Sequence, residues 1–149
     1  MKRFILGAGF VLASFFAFQT AAYADNDKPI TVADLPAAAQ TLLTKHFAKY
    51  RVVLAKVEND VLDKSFDVFL ANGDKVEFDR KGNWTEVVLR QDGVPAELVP
   101  AQITQYLNNA HPGAKIVKIE REARSYEVTL SNGFEYTFNK KFQVVDVDQ

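Results

Sequence analysis

The chain contains no cysteine among its 149 residues, and this absence excludes several structures and chemistries. Without cysteine there is no disulfide framework, no thiol nucleophile and no attachment site for an N-terminal lipid. Because covalent cross-links are not available, the fold must be held together by its hydrophobic core. An exported protein without thiols is compatible with an oxidising, periplasm-like compartment.

Motifs for catalysis and for phosphate binding are missing as well. The sequence has no G-x-S-x-G nucleophile elbow, no G-x-G-x-x-G and no P-loop. Its two histidines, His46 and His111, have no histidine, cysteine or glutamate three or four residues further along, a spacing that metal sites on helices use. We therefore expect a non-catalytic protein without a bound metal or cofactor.

An excess of charge of one sign is also missing. The chain has 18 basic and 19 acidic residues, and removing the basic residues Lys2 and Arg3 with an N-terminal leader would change the net charge from −1 to −3. A weakly acidic protein of evenly mixed charge lacks the electrostatic footprint of a nucleic-acid binder. We expect no nucleic-acid partner.

The longest apolar run lies at the N-terminus. Two basic residues precede an apolar segment over residues 4–18, and Ala22-Tyr23-Ala24 follows as a small-x-small cleavage site. The run is shorter than the about 20 residues that span a membrane. We predict a cleaved signal peptide over residues 1–24 and a periplasmic or secreted domain over 25–149, without stable membrane insertion; an uncleaved anchor is the alternative. Residues 25–29 are expected to be a disordered lead-in.

The second half of the chain repeats the first at an offset of sixty residues. Residues 66–87 align without a gap with residues 126–147. The identical pairs are Val68/Val128, Leu70/Leu130, Asn72/Asn132, Gly73/Gly133, Phe78/Phe138, Lys81/Lys141 and Val87/Val147. Such self-similarity predicts two copies of one supersecondary unit. We place the repeats at about 30–90 and 94–149, within a single domain.

Each copy reads as one helix followed by four strands. Apolar residues at helical spacing predict a helix over 37–47 and a second one after Val99-Pro100, with the stripe Ile103, Tyr106, Leu107 and Ala110 and an end at Pro112-Gly113. Alternating segments predict strands over 52–58, 65–71, 74–79 and 83–89, and over 115–121, 125–131, 134–139 and 142–147. Asn72-Gly73 and Asn132-Gly133 predict type I′ hairpins, whose two central residues need positive φ. The fold class is α+β: two tandem αββββ repeats forming an antiparallel sheet, with the helices packed on one face.

Strand alternation divides the sheet into a face under the helices and an open face. The first face carries Val68, Val76 and Phe78, and the open face carries Asp67, Phe69, Lys75 and Glu77 with their counterparts Glu127, Thr129, Glu135 and Thr137. On a solvated face we expect nothing to raise the pKa of acidic pairs such as Glu77 with Glu86.

Trp84 is the only tryptophan of the chain. Strand parity places it on the same face as Glu86, and therefore outward near Phe69, where it would form an interface hot spot ringed by polar groups. A bulge at Gly82-Asn83 would instead turn it into the core, and this alternative stays open. The candidate binding residues are Trp84, Phe69, Glu86, Lys75 and Glu77.

Several turn and core motifs together resemble a known family. They are Leu35-Pro36-Ala37-Ala38-Ala39 with His46-Phe47, Phe66-Asp67-Val68, Asn72-Gly73, Phe78-Asp79 and Gly82-Asn83-Trp84. These motifs are similar to those of the PepSY-like family, exported proteins found largely in Bacteroidetes and described as β-lactamase-inhibitor-like. The second copy departs from the pattern at Phe142 and Val144.

The resemblance implies two tandem αββββ units sharing one sheet, and a module that binds a protein or peptide. PepSY modules also occur in propeptides of thermolysin-type peptidases, where an inhibitory or chaperone-like role is proposed. We therefore expect a non-catalytic exported binding module that presents its open sheet face to a protein or peptide, with an inhibitor-like role toward a hydrolase as the form that the family suggests. The alternative is a periplasmic binder of a small molecule or envelope polymer, with a pocket between sheet and helices.

Overall fold

The computed structural model describes residues 27–149. The predicted signal peptide and its cleavage site lie outside the described residues. Two helices, α1 (Ala37–His46) and α2 (Ala101–Ala110), are each preceded by a short 3-10 turn, Val32–Asp34 and Ala96–Leu98. The strands are β1 (Asp27–Ile30), β2 (Val52–Asn59), β3 (Lys64–Leu70), β4 (Lys75–Asp79), β5 (Trp84–Val88), β6 (Ile116–Arg121), β7 (Ser125–Leu130), β8 (Glu135–Asn139) and β9 (Val144–Asp148).

These nine strands form one antiparallel sheet in which their spatial order equals their order along the chain. The predicted α+β class is thereby confirmed. The hairpins β3–β4 and β7–β8 have the same register, because Val68 lies opposite Val76 and Val128 lies opposite Tyr136. Strands β5 and β6 pair in the middle of the sheet, with Val87 opposite Ile119, and so join the two halves.

Strand β1 corrects the expectation of a disordered lead-in for residues 27–29, whereas residues 25 and 26 lie outside the described part of the chain. Asp27 lies opposite Glu58, and Ile30 lies opposite Ala55 of β2. The Nζ of Lys56 also donates a hydrogen bond to the carboxylate of Asp27 at 2.7 Å. A four-residue segment has little intrinsic strand preference, so its order depends on pairing with the edge of β2, which local patterns do not reveal.

The core lies between the helices and one face of the sheet. Helices of ten residues are marginal alone and gain stability by burying an apolar stripe. Helix α1 buries Ala39 and Leu43, and helix α2 buries Ile103 and Leu107. The sheet contributes fully or almost fully buried side chains to the same cluster: Val68, Leu70, Val76, Phe78, Val87, Ile119, Val128, Leu130 and Phe138.

The hairpins at Asn72-Gly73 and Asn132-Gly133 form as predicted, but the predicted type I′ turn is wrong. The N–H of Gly73 donates to the carbonyl of Leu70, and the N–H of Leu70 donates to that of Asp74, which closes a three-residue loop. Gly73 has a φ of 88°, whereas Asn72 is not in the positive-φ region. The Oδ1 of Asn72 instead accepts the N–H of Asp74 at 3.0 Å. A three-residue loop needs one left-handed residue, and it comes last.

Candidate functional site

Trp84 lies in the core, so the predicted outward orientation is wrong. Its side chain is only 6% exposed, and it lies opposite the fully buried Phe78. In the same ladder Glu86 lies opposite Glu77, which leaves Thr85 as an extra residue. Such a bulge breaks the alternation of faces, and Trp84 and Glu86 therefore point to opposite sides of the sheet. The bulge lies within β5 rather than at the predicted Gly82-Asn83.

A cation from the second half of the chain covers Trp84. The guanidinium carbon of Arg121 lies 4.2 Å from the centroid of the indole ring, a distance typical of a cation–π contact. The Nε and Nη2 of Arg121 also donate to the carbonyl of Trp84, at 3.2 and 2.8 Å. Trp84 therefore holds β5 to β6 and is not available as a binding anchor.

The open face carries a row of acidic residues on five neighbouring strands, β3 to β7. Each member lies directly opposite the next in the strand pairing. We call this set the carboxylate row: Asp67, Glu77, Glu86, Glu120 and Glu127. Side chains directly opposite each other have Cβ atoms about 5 Å apart, and like charges in such positions are destabilising. Sequence alternation placed single members on this face but did not reveal the continuous row, because the pairing of β5 with β6 has no local signal.

Two lysines on neighbouring strands offset part of this charge. The Nζ of Lys75 lies 2.7 Å from a carboxylate oxygen of Glu77 and 2.9 Å from one of Glu86. The Nζ of Lys118 lies 3.2 Å from the other oxygen of Glu86. Three predicted site residues, Lys75, Glu77 and Glu86, are therefore in direct contact.

Phe69, the fourth predicted residue on this face, lies beside them and is half-buried. It is opposite Lys75 in the pairing of β3 with β4. The Nζ of Lys56 lies 5.9 Å from the centroid of its ring and 3.8 Å from a carboxylate oxygen of Asp67. The open face thus unites an aromatic ring, three lysines and the carboxylate row.

Ionisation of the row is uneven, because burial and lysine contacts act in opposite directions. Burial disfavours the charged form of Glu86, but Lys75 and Lys118 outweigh it and hold the pKa of this carboxyl below its ordinary value. Burial raises the pKa of Glu77 and that of Asp67, and the lysines offset this effect only in part. The expectation that nothing on this face raises a carboxyl pKa is therefore wrong, since packed neighbours partly remove the side chains from water.

Glu120 has the most strongly raised pKa in the carboxylate row. Burial and the charges of Glu86 and Glu127 together raise its pKa from 4.5 to about 7, against the opposing charge of Lys118. Carboxylate oxygens of Glu120, Glu122 and Glu127 lie within 4.8 Å of one another. Oxygen donors at this separation are of the type that Ca²⁺ accepts in proteins.

Comparisons with known proteins agree with this architecture. A family model described as "Putative beta-lactamase-inhibitor-like, PepSY-like" matches residues 64–146. A comparison with curated proteins gave no match.

Three solved structures from Bacteroides resemble the chain over most of its length. A periplasmic protein from Bacteroides vulgatus shares 50% identity at a TM-score of 0.82, covering 85% of this chain and 99% of its own. A periplasmic protein from Bacteroides thetaiotaomicron, described as calcium-regulated, shares 48% identity at 0.81 with the same coverage. A second Bacteroides vulgatus protein, periplasmic and of unknown function, shares 36% identity at 0.77, covering 83% and 99%.

The location of these relatives agrees with the predicted periplasmic or secreted location. Within residues 27–149, no helix has the length and apolar character that a membrane crossing requires. The family match covers more than half of the chain and includes both hairpins that carry the Asn-Gly turns. The chain belongs to the beta-lactamase-inhibitor-like, PepSY-like family.

Proposed function

We propose that this protein is a non-catalytic exported binding module that takes a protein or peptide partner on its open sheet face. The observation that carries the proposal is the carboxylate row. Both helices pack on the opposite face, so no described helix covers the row. Asp67 and Glu86 are buried, at 7% and 8% exposure, so this face is less open than predicted, and a partner would contact the half-buried Glu77, Glu120 and Glu127.

Charge balance supports a partner that is basic where it makes contact. The five acids of the row are accompanied by three lysines, Lys56, Lys75 and Lys118, and Glu86 alone takes up two of them. Acidic side chains held opposite one another reduce stability, and a basic partner would relieve this repulsion. Complementary charge of this kind speeds association and selects among partners.

An inhibitor-like role toward an exported peptidase or other hydrolase is the specific form of this proposal. It is supported by the description of the family and by the broad face that the sheet offers. A one-sided sheet can cover the rim of an enzyme cleft without any catalytic group of its own.

The experiment measures binding of a labelled basic peptide of alternating arginine and glycine by fluorescence anisotropy at low salt. At pH 8, where Glu120 with its pKa of about 7 is ionised, the double variant Glu120→Gln with Glu127→Gln should bind it at least tenfold more weakly, because two charges of the row are lost. The matched control is Asp63→Asn with Glu97→Gln, which removes two exposed charges outside the row. Equal weakening by both variants, or equal binding of an acidic peptide, would contradict the proposal.

A response to Ca²⁺ is a second candidate function. It is favoured by the relative described as calcium-regulated and by the convergence of Glu120, Glu122 and Glu127. A cation there would neutralise part of the row and change its affinity for a basic partner. In a thermal-shift titration, millimolar Ca²⁺ should raise the Tm of the native protein by several degrees more than that of Glu120→Gln, with Mg²⁺ as the comparison ion. An unchanged Tm would contradict this candidate.

The alternative of a ligand pocket between sheet and helices is less well supported. Phe78 from the sheet and Ile103 from α2 are fully buried in one shared cluster, so this interface is closed. A shallow groove elsewhere is lined by residues of the Ala96–Leu98 turn and of α2, including Thr104 and Asn108, and by no strand residue.

A further inference from the structure

The two edges of the sheet differ in how well they are protected. Strand β1 has four residues, includes Pro29, which has no N–H to donate, and is tied to β2 by the pair of Asp27 with Lys56. Strand β9 has five residues without proline, and no described strand pairs with its outer side. Unprotected edges are sites where an additional strand can pair.

The side chains of β9 give its two faces different chemistry. Asp146 lies opposite Thr137 and Asp148 opposite Glu135, which places both acids on the open face. Val147 lies opposite Tyr136 on the helix side and is 44% exposed. Next to it, the ring of Tyr106 on α2 lies 5.9 Å from that of Tyr136 and is itself 43% exposed. The edge therefore presents acids on one side and an apolar surface on the other.

We propose that β9 is a docking edge for an extended polypeptide segment in which lysine or arginine alternates with apolar residues. Added as a tenth strand, such a segment would place its basic side chains beside Asp146 and Asp148. Its apolar side chains would cover Val147 and Tyr106. Neither Asp146 nor Asp148 takes part in an ion pair with a described residue.

The same charges argue against a second copy of the chain as the occupant. Antiparallel pairing of β9 with its own copy, centred on Val147, would bring Asp146 and Asp148 against the same two residues of the other chain. Like charges on directly neighbouring strands destabilise the pairing. A strand of opposite charge meets no such repulsion, and the acids thus select a foreign segment over self-association.

The test uses two labelled peptides of seven residues, one alternating lysine with valine and one alternating glutamate with valine. The lysine peptide should bind the native protein and slow hydrogen exchange of the β9 amides. The double variant Asp146→Lys with Asp148→Lys should weaken this binding at least tenfold and should bind the glutamate peptide instead. The control, Asp60→Lys with Asp63→Lys, makes the same change of charge in the exposed loop between β2 and β3 and should keep the native preference.

Because all four positions are exposed, both variants should fold, and circular dichroism verifies that they do. Equal loss of binding in the control would overturn the proposal, because charge alone would then explain the effect. Protection on β3 to β7 without protection of β9 would overturn it too, while leaving docking on the open face intact. A dimer of the unliganded native protein in which the β9 amides are protected from hydrogen exchange would assign the edge to a second copy and so overturn it.

Discussion

The indole ring of Trp84 is held by residues from both halves of the chain. Phe78 of the first half lies opposite it, and the guanidinium of Arg121 in the second half covers the ring. The bulge at Thr85 decides this arrangement. Without the extra residue Trp84 and Glu86 would lie on the same face of the sheet, and with it they lie on opposite faces. A single unpaired residue thus converts the only tryptophan from a candidate binding anchor into part of the core.

At this scale we predict that Trp84→Ala lowers the free energy of unfolding by about 3–5 kcal/mol, the range for truncating a large buried aromatic residue. Urea unfolding followed by far-ultraviolet circular dichroism measures the loss. Phe69→Ala is the matched control, because Phe69 is aromatic but only half-buried on the open face. Equal losses in the two variants would contradict a core role for Trp84.

The tight hairpins share one loop conformation. Their three-residue loops end in a residue with positive φ, which is Gly73, Gly82, Gly133 or Phe142. Phe142, at a φ of 64°, takes the loop position of Gly82, and its ring lies 5.9 Å from that of Tyr126. The mismatch of glycine with phenylalanine in the repeat therefore preserves the backbone conformation of the turn.

Gly82 carries a second constraint that Gly73 lacks. A Cβ at Gly82 would lie 2.8 Å from the Cβ of Pro36 and 3.0 Å from the backbone nitrogen of Ala39, so the β4–β5 turn supports the start of α1. A Cβ at Gly73, where φ is also 88°, would meet nothing within 4 Å.

At the scale of elements we predict that Gly82→Ala destabilises the protein more than Gly73→Ala does. Gly73→Ala costs about 1–2 kcal/mol, because alanine disfavours the left-handed conformation. Gly82→Ala has this cost as well and must also displace the start of α1. Chemical unfolding of the two variants side by side measures the difference, and equal losses would show that α1 does not rest on this turn.

The carboxylate row is a property of the whole molecule. Asp67, Glu77 and Glu86 come from the first half, and Glu120 and Glu127 from the second, so the row exists only because β5 pairs with β6. The high pKa of Glu120 follows from this meeting, since burial and the charges of Glu86 and Glu127 disfavour its ionised form.

This arrangement predicts how stability depends on pH. A carboxyl whose folded pKa of about 7 exceeds its ordinary 4.5 contributes stability that is complete below about pH 4.5 and is lost as pH rises to about 7, because the folded state holds the proton more tightly. Relative to Glu120→Gln, the native protein should therefore be less stable at pH 8 than at pH 5. Urea unfolding at both pH values measures this change.

Glu97→Gln, which removes one exposed acid outside the row, is the control for loss of a single charge. If the difference between native protein and Glu120→Gln were the same at pH 5 and pH 8, Glu120 would not titrate in this range in the folded state.

The sequence by itself determined the features that depend on near neighbours. Period-two alternation, Asn-Gly turns and short apolar helices specify the hairpins, the α+β class and the face under the helices, because these signals act within a few residues. Lys75, Glu77 and Glu86 were placed together for this reason. The tertiary structure decided the burial of Trp84, the pairing of β1 and the continuity of the carboxylate row. The pairing of β1 and the continuity of the row depend on strand register between segments distant in the chain, which the free energy of packing sets across the whole sheet. The burial of Trp84 depends on the bulge at Thr85, for which the alternation of residues gives no signal.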